Sequence, residues 1–562
     1  MPKRPALLKL SRRKILIGAT ASVATLPQPS LGRSLLRQPL TSPPAIASGS
    51  VFDDQRGDGW RQPGNRGIAG VLVSNGHDVV ATDADGRWCL PIEGGDHAFV
   101  VKPPDWSVTP TRSGASSYSY LHHPQGSRQN LRFEGTAPTG ALPHTIDFAL
   151  RHAPENKRFD VALVADPQPS NLTELAYLER ALIEPLAQEN VAFAINHGDV
   201  VGDDLALFDR YRELIGTTGM PWHHCPGNHD MNLDSPDGDH AFETWKCVFG
   251  PPHYAFQAGD ATFIVLNTVD YAGYPRSHSG MPAYRGWIGP RQLEFVENLL
   301  RHVPAHHLVV VSMHVPLASY EDPDSVSDRV ADRFQLLELL SGRQYSVSFA
   351  GHLHTTEHHY LGQECGFARK PPHHHHVLTA ACGSWWSGPP DRNGVPVADS
   401  RDGSPKGFHI LSIDGNQYET RFVAAAREQM RVLITNPDAI GSNAAGCGRI
   451  LSSPIAEASV SNARIVVNVF DGGPNTRVMF SLDGNSRLEH ELRRCHIPDP
   501  YIVDAFSDPA VARPSWLEAC PSSHIWVGML PAGLSRGTYQ FTVRAIGEFG
   551  REHVSRMSVT IT

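Results

Sequence analysis

The sequence has no CxxC pair, no block of lysine and arginine residues, and no late apolar run long enough to cross a membrane. Its 8 cysteines are widely spaced, which argues against a structural zinc knuckle and leaves any disulfide pairing open. A formal net charge of −9 without a basic block argues against nucleic acid as the main partner. A chain of 562 residues is too long for one core, so we expect several domains.

A short apolar stretch near the N-terminus follows a pair of arginines. Arg12 and Arg13 precede the run from Ile15 to Leu26, and the twin arginine resembles the signature of the Tat export pathway. The run is too short and too rich in Ala, Thr and Gly for a stable transmembrane helix. Residues 45–47, Ala-Ile-Ala, form a late candidate cleavage point. We expect a soluble protein exported to the periplasm or the medium; a chance arginine pair is the alternative.

The hydrophobic pattern changes twice along the chain. Alternating residues around the turns Asn75-Gly76 and Asp85-Gly86 predict a small β-sandwich, acting as a spacer or a binding domain. From about residue 158, near-continuous apolar strands alternate with amphipathic segments, which predicts an α/β layered sheet buried on both faces. After about residue 425 the helices stop and alternating strands predict a second sandwich. The expected division is 1–47 signal and linker, 48–154 N-terminal β-sandwich, 155–425 α/β domain, and 426–562 C-terminal β-sandwich.

Histidine is unusually frequent, with 30 residues, and several histidines are clustered. We expect His373–His376, which follow two prolines, to lie in a solvent-facing loop rather than in a metal site. His223, His224, His358 and His359 are interpreted as structural or solvent-facing. Trp385 and Trp386 could line a cleft, although core packing is expected for one of the pair.

Polar residues follow five of the predicted strands. In open α/β sheets, ligands bind outside the carboxyl ends of the strands, so these side chains should share one site. Carboxylate, amide and imidazole ligands suit Mn, Fe, Zn or Co. Seven such residues exceed the needs of one cation and predict a pair of metal ions. The candidates are Asp166, Gln168, Asp199, Asn228, His314, His352 and His354.

The order of these motifs resembles the calcineurin-like metallophosphoesterase superfamily. The motifs are D-x-Q, G-D, G-N-H-D, a lone His and G-H-x-H, spread over roughly 190 residues of the chain. The stretches "ACGSWWSG", "DGSPKGFHI" and "SSHIWVGMLP" resemble the multidomain bacterial subgroup with β domains at both ends. The resemblance implies an α/β metallophosphoesterase core flanked by two β-sandwiches.

The resemblance also implies a role for each motif residue. One metal would be held by Asp166, Gln168, Asp199 and His354, and the other by Asp199, Asn228, His314 and His352. His229 would not bind metal but would contact the phosphate and protonate the leaving oxygen. Gln168 departs from the commoner D-x-H form, and a neutral amide is a weaker ligand. Asp203 could orient His229 or be an ordinary loop carboxylate.

The expected function is hydrolysis of phosphate mono- or diesters by attack of a metal-bridging hydroxide, with His229 as general acid. The cofactors would be two divalent or mixed-valence ions of Mn, Fe or Zn. The substrate class is left open between lipid, nucleotide, sugar and polymer esters. One alternative is a non-catalytic exported binding or adhesion protein, for which a ligand or His229 should be missing. A single-metal oxidoreductase is disfavoured by the number of converging ligands.

Overall fold

The computed structural model describes residues 45–562 apart from 109–117, 129, 274–283, 426–427, 438–447, 483–488 and 532. The arginine pair and its apolar run therefore lie outside the described residues. Among the residues described, no helix is long and apolar enough to span a membrane.

The first eight strands form two antiparallel-rich sheets that share one apolar core. The sheet orders are β4-β1-β8-β6 and β3-β2-β5-β7. Strand β1 begins three residues before the expected boundary at residue 48, and its Ala47 is fully buried. Cleavage after residue 47 would therefore remove the first part of this strand. The strands are β1 (Ala45–Asp53), β2 (Leu72–Ser74), β3 (Val79–Ala81), β4 (Arg87–Ile92), β5 (Asp96–Val101), β6 (Trp106–Val108), β7 (Ser119–His122) and β8 (Phe148–His152).

The central region contains two mixed sheets that share a single large core, so the expected layered sheet is divided in two. Their orders are β11-β10-β9-β20-β21 and β12-β13-β16-β17-β19-β18, with a small β14-β15 ribbon beside them. The strands are β9 (Arg158–Val164), β10 (Phe193–His197), β11 (Trp222–Cys225), β12 (Tyr254–Ala258), β13 (Ala261–Val265), β14 (Val269–Tyr271), β15 (Tyr284–Gly286), β16 (Leu308–Ser312), β17 (Ser346–Ala350), β18 (Glu357–Leu361), β19 (His373–Val377), β20 (Gly407–Asp414) and β21 (Gln417–Ala424).

Helices follow several of these strands and bury their apolar faces in the same core. Helix α5 contributes Phe295, Val296 and Leu299, which lie three and four residues apart on one face. Asn171 caps helix α1 by accepting a hydrogen bond from the backbone of Glu174. The helices are α1 (Leu172–Leu178), α2 (Glu184–Leu186), α3 (Phe208–Gly216), α4 (Glu243–Val248), α5 (Pro290–Leu300) and α6 (Arg333–Ser341), with a π-helical segment at Glu179–Ile183 and 3-10 turns at Leu205–Leu207, Gly238–His240 and Gln363–Cys365.

The remaining strands form a second sandwich around its own core. The sheet orders are β23-β22-β24-β28-β27 and β26-β25-β29-β30. The elements are β22 (Met430–Asn436), β23 (Arg449–Ile450), a 3-10 turn (Glu457–Ser459), β24 (Arg464–Val469), β25 (Arg477–Leu482), β26 (His490–Glu491), β27 (Arg493–Ile497), α7 (Pro500–Ser507), β28 (Ser522–Met529), β29 (Gly537–Ile546) and β30 (Glu552–Ile561). The expected fold class, a metallophosphoesterase-like α/β core between two β-rich regions, is confirmed. The chain passes to a different sheet after β8 and after β21, and the domain boundaries stay a prediction.

The prediction for His373–His376 is wrong. These four residues form strand β19 in the middle of a sheet, between β17 and β18, and all four are buried. The two prolines before them end a loop and do not continue it, and neighbouring polar side chains satisfy most of the imidazoles. The described cysteines are all free thiols.

Candidate metal centre

The polar residues predicted at strand ends meet at one edge of the two central sheets. Asp166 and Gln168 follow β9, Asp199 follows β10, and His352 and His354 follow β17. All five have a positive φ, between 46° and 78°. This backbone conformation costs of order 1–3 kcal/mol for a residue other than glycine and is concentrated at functional sites. The loops are therefore held in an unfavourable conformation that points these side chains into a common space.

Three glycines beside these residues make the close approach possible. A Cβ on Gly198 would lie 2.3 Å from Nδ1 of His314, and Gly198 also has a φ of 92°. A Cβ on Gly227 would lie 2.2 Å from both the backbone nitrogen and Oδ1 of Asp199. A Cβ on Gly351 would lie 2.5 Å from a carboxylate oxygen of Asp166. The glycines in the G-D, G-N-H-D and G-H-x-H motifs are thus required by packing around the ligands.

His314, at the end of β16, is the centre of one group of side chains. Its Nε2 lies 3.0 Å from Oδ1 of Asn228 and 3.3 Å from Oδ1 of Asp199. The same nitrogen lies 3.2 Å from Nδ1 of His352. Nδ1 of His314 lies 2.8 Å from the carbonyl oxygen of His197 and donates to it. With that proton on Nδ1, the lone pair of Nε2 faces three further potential ligand atoms.

His354 belongs to a second group on the other side of Asp199. Its Nδ1 lies 2.7 Å from the carbonyl oxygen of Gly383, and its Nε2 lies 3.8 Å from Oδ1 of Asp166. Gln168 donates from Nε2 to Oδ2 of Asp199 at 3.3 Å. The two oxygens of the Asp199 carboxylate therefore face the two groups, as a bridging ligand requires.

Buried carboxylates lie close to one another and to imidazoles in this site. Burial disfavours the charged form of Asp199, but His314 and His229 outweigh it and hold its pKa well below its usual range. Burial also lowers the pKa of His314, yet Asp199 and Asp166 raise it overall to about 9. For Asp166, burial and the neighbouring carboxylate of Asp199 raise the pKa to about 7. Positive charge placed between the two buried carboxylates would therefore stabilise them.

The donor set fits a pair of metal ions. Lone pairs of imidazole, amide and carboxylate groups converge at 3.0–3.3 Å around His314, where only a cation can separate them favourably. A proton on His314 supplies such a charge, and metal ions supply it to both groups. Asp199, His314 and His352 also form a compact buried cluster able to hold a metal ion. Nitrogen and oxygen donors of this kind suit Mn, Fe and Zn.

His229 lies beside this cluster but has different partners. Its Nδ1 is 2.7 Å from Oδ1 of Asp203, and its Nε2 is 4.0 Å from Oδ2 of Asp199. About a third of its side chain is exposed, whereas His314 is fully buried. Burial lowers the pKa of His229, but Asp199 and Asp203 outweigh it and raise the pKa to about 9. The two carboxylates therefore favour the protonated form of His229, and its side chain reaches solvent.

Asp230, the last residue of the G-N-H-D motif, is a structural residue. It is fully buried, and its carboxylate accepts hydrogen bonds from the backbone nitrogens of Gly227, Val200 and Val201. These bonds connect the loop after β11 to the loop after β10. Asp230 therefore fixes the spacing of Asn228 and Asp199.

The sequence reasoning missed two residues at the site. Oδ1 of Asp328 lies 3.6 Å from Nε2 of His352, and Asp328 is in a loop without a strand-end signal. The Sγ of Cys382 lies 3.7 Å from Oε1 of Gln168 and 3.8 Å from Nδ1 of His354. Only its position in the "ACGSWWSG" stretch pointed to Cys382.

Two aromatic residues cover the histidines that follow β17. The ring of Trp385 stacks on His354 with centroids 3.9 Å apart, and Tyr284 contacts the ring of His352 edge-on at 6.0 Å. Trp386 is buried, as expected for one of the pair. The reason differs from the prediction, because both tryptophans lie in a turn with positive φ and not in a strand.

Two family models match the chain. The model of the calcineurin-like phosphoesterase matches residues 159–356, and that of its C-terminal domain matches residues 375–553. The first match contains all seven predicted ligand positions, five at the strand ends from β9 to β16 and two in the G-H-x-H motif after β17. The chain belongs to the calcineurin-like phosphoesterases. It is therefore a metal-dependent phosphoesterase, and the family implies a dinuclear metal centre and a phosphate-ester substrate.

Solved structures were also compared with this phosphoesterase. A purple acid phosphatase from yellow lupin (Lupinus luteus) seeds is 14% identical, with 69% of this chain and 72% of that chain covered and a TM-score of 0.36. The extracellular domain of a hybrid two-component system from B. thetaiotaomicron is 10% identical, with 33% and 20% covered and a TM-score of 0.15. No curated protein matches the chain. The assignment depends on the family models, and the two likenesses add nothing to it.

Gly227→Ala should lower both metal content and phosphoesterase activity, because the added methyl group would collide with Asp199. The expected loss is measured as metal per chain and as kcat on a phosphomonoester. Gly216→Ala is the matched control, since a Cβ there meets nothing within 4 Å. Full metal content in Gly227→Ala would show that the loop accommodates a Cβ and that the close packing is not required.

Proposed function

We propose that this phosphoesterase hydrolyses phosphate mono- or diesters at a dinuclear centre held by the seven strand-end residues. The supporting observation is that the carboxylate of Asp199 lies between two separate groups of ligand atoms. One ion would be held by Asp166, Gln168, Asp199 and His354, and the other by Asp199, Asn228, His314 and His352. Mn, Fe and Zn remain the proposed metals.

The metal ions, when bound, supply Lewis-acid activation of the phosphate and a nucleophile at neutral pH. The chain's own residues hold the ligand side chains and fix the direction of their lone pairs. Backbone carbonyls accept the Nδ1–H groups of His314 and His354, so each Nε2 has its lone pair directed into the site. The amide of Gln168 contributes no charge, which makes the first group less negative than a set with a further carboxylate.

His229 is proposed as the general acid. Asp203 binds its Nδ1 and stabilises the imidazolium, so the Nε2–H is free to protonate the leaving oxygen of the ester. Its partial exposure allows the proton to be replaced from solvent after each turnover. A non-catalytic binding protein would tolerate loss of His229 or of a ligand, and all these residues are present.

Asp199→Asn should remove metal from the dinuclear centre and abolish phosphoesterase activity, because both ions there would lose a shared charged ligand. Asn228→Ala should have a smaller effect on metal content, since only one group contains it. The measurements are metal per chain and rates on a panel of phosphomonoesters and diesters, which also distinguishes the substrate class. Asp209→Asn, a carboxylate 81% exposed on α3, is the control. Full activity with intact metal in Asp199→Asn would contradict the dinuclear assignment.

His229→Ala should keep both metals while kcat falls, since loss of general acid catalysis costs about 10²- to 10⁴-fold. The loss should shrink for nitrophenyl esters, whose leaving groups need little protonation, and persist for alkyl esters. The experiment compares kcat on both ester types with metal content, using the exposed His302→Ala as control. An equal loss on both ester types, or loss of an ion, would identify His229 as a phosphate contact or a ligand instead.

We also propose export through the Tat pathway, on the basis of Arg12 and Arg13. That pathway carries folded proteins, so metal would be loaded before translocation. Replacing both arginines with lysine should leave the protein in the cytoplasm, as measured by cell fractionation with an unaltered chain as control. Normal export of the double variant would exclude a Tat signal.

A further inference from the structure

A second cluster of histidines lies on the strands β18, β19 and β20, away from the strand-end residues of the dinuclear centre. His358 on β18 is directly opposite His376 on β19, and their rings stack with centroids 3.9 Å apart. His409 on β20 contacts His376 edge-on at 4.8 Å. All three are fully buried. Asp471, which follows β24 of the C-terminal sandwich, contacts this cluster.

Side chains alternate between the two faces of β19, so the four histidines form two pairs with different surroundings. His373 and His375 face one side of β19, where the hydroxyl of Ser348 lies 2.8 Å from a nitrogen of each ring. These two imidazoles are satisfied by ordinary hydrogen bonds. His374 and His376 face the other side, toward β20 and the C-terminal sandwich.

The nitrogens on that side surround one carboxylate oxygen at the spacing of metal ligands. Nε2 of His358 and Nε2 of His376 each lie 3.2 Å from Oδ1 of Asp471. In a tetrahedral zinc site, metal–ligand bonds of about 2.0–2.2 Å place neighbouring ligand atoms about 3.3 Å apart. Neither ring nitrogen of His376 has a hydrogen-bond partner among the described residues, although the side chain is fully buried. An unsatisfied buried imidazole is costly, and a metal ion would satisfy it.

The surrounding groups orient two of the rings for such a site. Nδ1 of His358 lies 2.9 Å from Nε2 of His374, and Nδ1 of His374 lies 2.9 Å from the hydroxyl of Tyr418. Nε2 of His358 lies within hydrogen-bond distance of Oδ1 of Asp471, and with both rings donating outward from Nδ1 toward Tyr418 its lone pair would be available to an ion. This arrangement, a ligating histidine whose other nitrogen donates to a fixed partner, is typical of metal sites.

His409 lies somewhat farther from Asp471 than the other two histidines do. The backbone nitrogen of Thr379 donates to its Nε2 at 3.3 Å, which places the ring proton on Nδ1. That nitrogen lies 3.7 Å from Oδ1 of Asp471. Nδ1 of His409 has no hydrogen-bond partner among the described residues, and Asp471 is the carboxylate that it faces, so we infer that His409 is a positioning residue for Asp471.

Among the described residues, Asp471 forms no ion pair with a lysine or arginine; its ion-pair partners there are His358, His376 and His409. A cavity of about 270 Å³ opens beside the carboxylate and is also lined by Arg421 and Arg551. Both arginines form ion pairs elsewhere, with Glu189 and Glu419 respectively. The Asp471 side chain is 18% exposed, so the cavity provides a path from solvent to the cluster.

We propose that His358, His376 and Asp471 bind one divalent ion, with zinc as the best-fitting metal, at a site separate from the dinuclear centre. The fourth ligand position would face the cavity and be filled by solvent. Two imidazoles and a carboxylate form a borderline donor set that suits zinc and its neighbours. Because the histidines belong to the central sheets and Asp471 to the C-terminal sandwich, the ion would connect the two regions.

The test measures metal per chain in the full-length protein after exposure to zinc and removal of the free ion. His376→Gln and Asp471→Ala should each bind one ion fewer than the unaltered protein and unfold at a lower temperature. Phosphoesterase activity should be largely retained, because neither residue belongs to the dinuclear centre. His375→Gln is the matched control: it lies on the same strand, faces the serines, and should keep the ion.

Two further variants keep the proposal testable if His376→Gln does not fold. His409→Ala should weaken zinc binding at this site by about 10- to 100-fold, as expected for a residue that orients a ligand. Asp199→Asn, in which the dinuclear centre is disrupted, should still retain one zinc ion that Asp471→Ala then removes. Unchanged metal content in Asp471→Ala, or a metal-free Asp199→Asn chain, would overturn the proposal and leave the cluster as a hydrogen-bonded histidine core.

Discussion

The buried carboxylate of Asp199 is the interaction around which the central loops are arranged. Its backbone carbonyl accepts a hydrogen bond from Gln168, and its Oδ1 accepts one from the backbone of His229. The loops that end β9, β10 and β11 are thus tied to one another beyond the last strand pairs. With no room for a Cβ at Gly198 or Gly227, the positions of the carboxylate and imidazole groups depend on backbone packing more than on side-chain flexibility.

The convergence of these residues could be predicted because the end of a buried strand is recognisable in the sequence. A buried parallel strand is an apolar run, and a polar residue directly after it has to lie at the carboxyl edge of a sheet. The division into two sheets was not predictable in this way. The apolar strands β10 and β16 have similar patterns, and only their pairing, β10 with β9 and β16 with β13, assigns them to different sheets.

Residues that do not directly follow an apolar strand were either missed or wrongly predicted. Asp328 and Cys382 reach the site from loops, where sequence position says little about proximity in space. The loop predicted for the histidines of β19 followed from the two prolines that precede them. What offsets their burial is visible only in three dimensions: Ser348 on the neighbouring strand for His375, and Tyr418 on β21 for His374.

The partner of one imidazole nitrogen determines what the other nitrogen can do. His314 and His354 donate from Nδ1 to backbone carbonyls, so each Nε2 is directed into the site and is available to a metal ion. His229 instead faces the carboxylate of Asp203 at 2.7 Å, which favours the charged ring and a mobile proton. His352 is intermediate, since Asp328 is 3.6 Å away; there burial lowers the pKa and that carboxylate does not offset it. His229, His314 and His352 therefore differ in chemistry, and the difference arises from groups that their motifs do not contain.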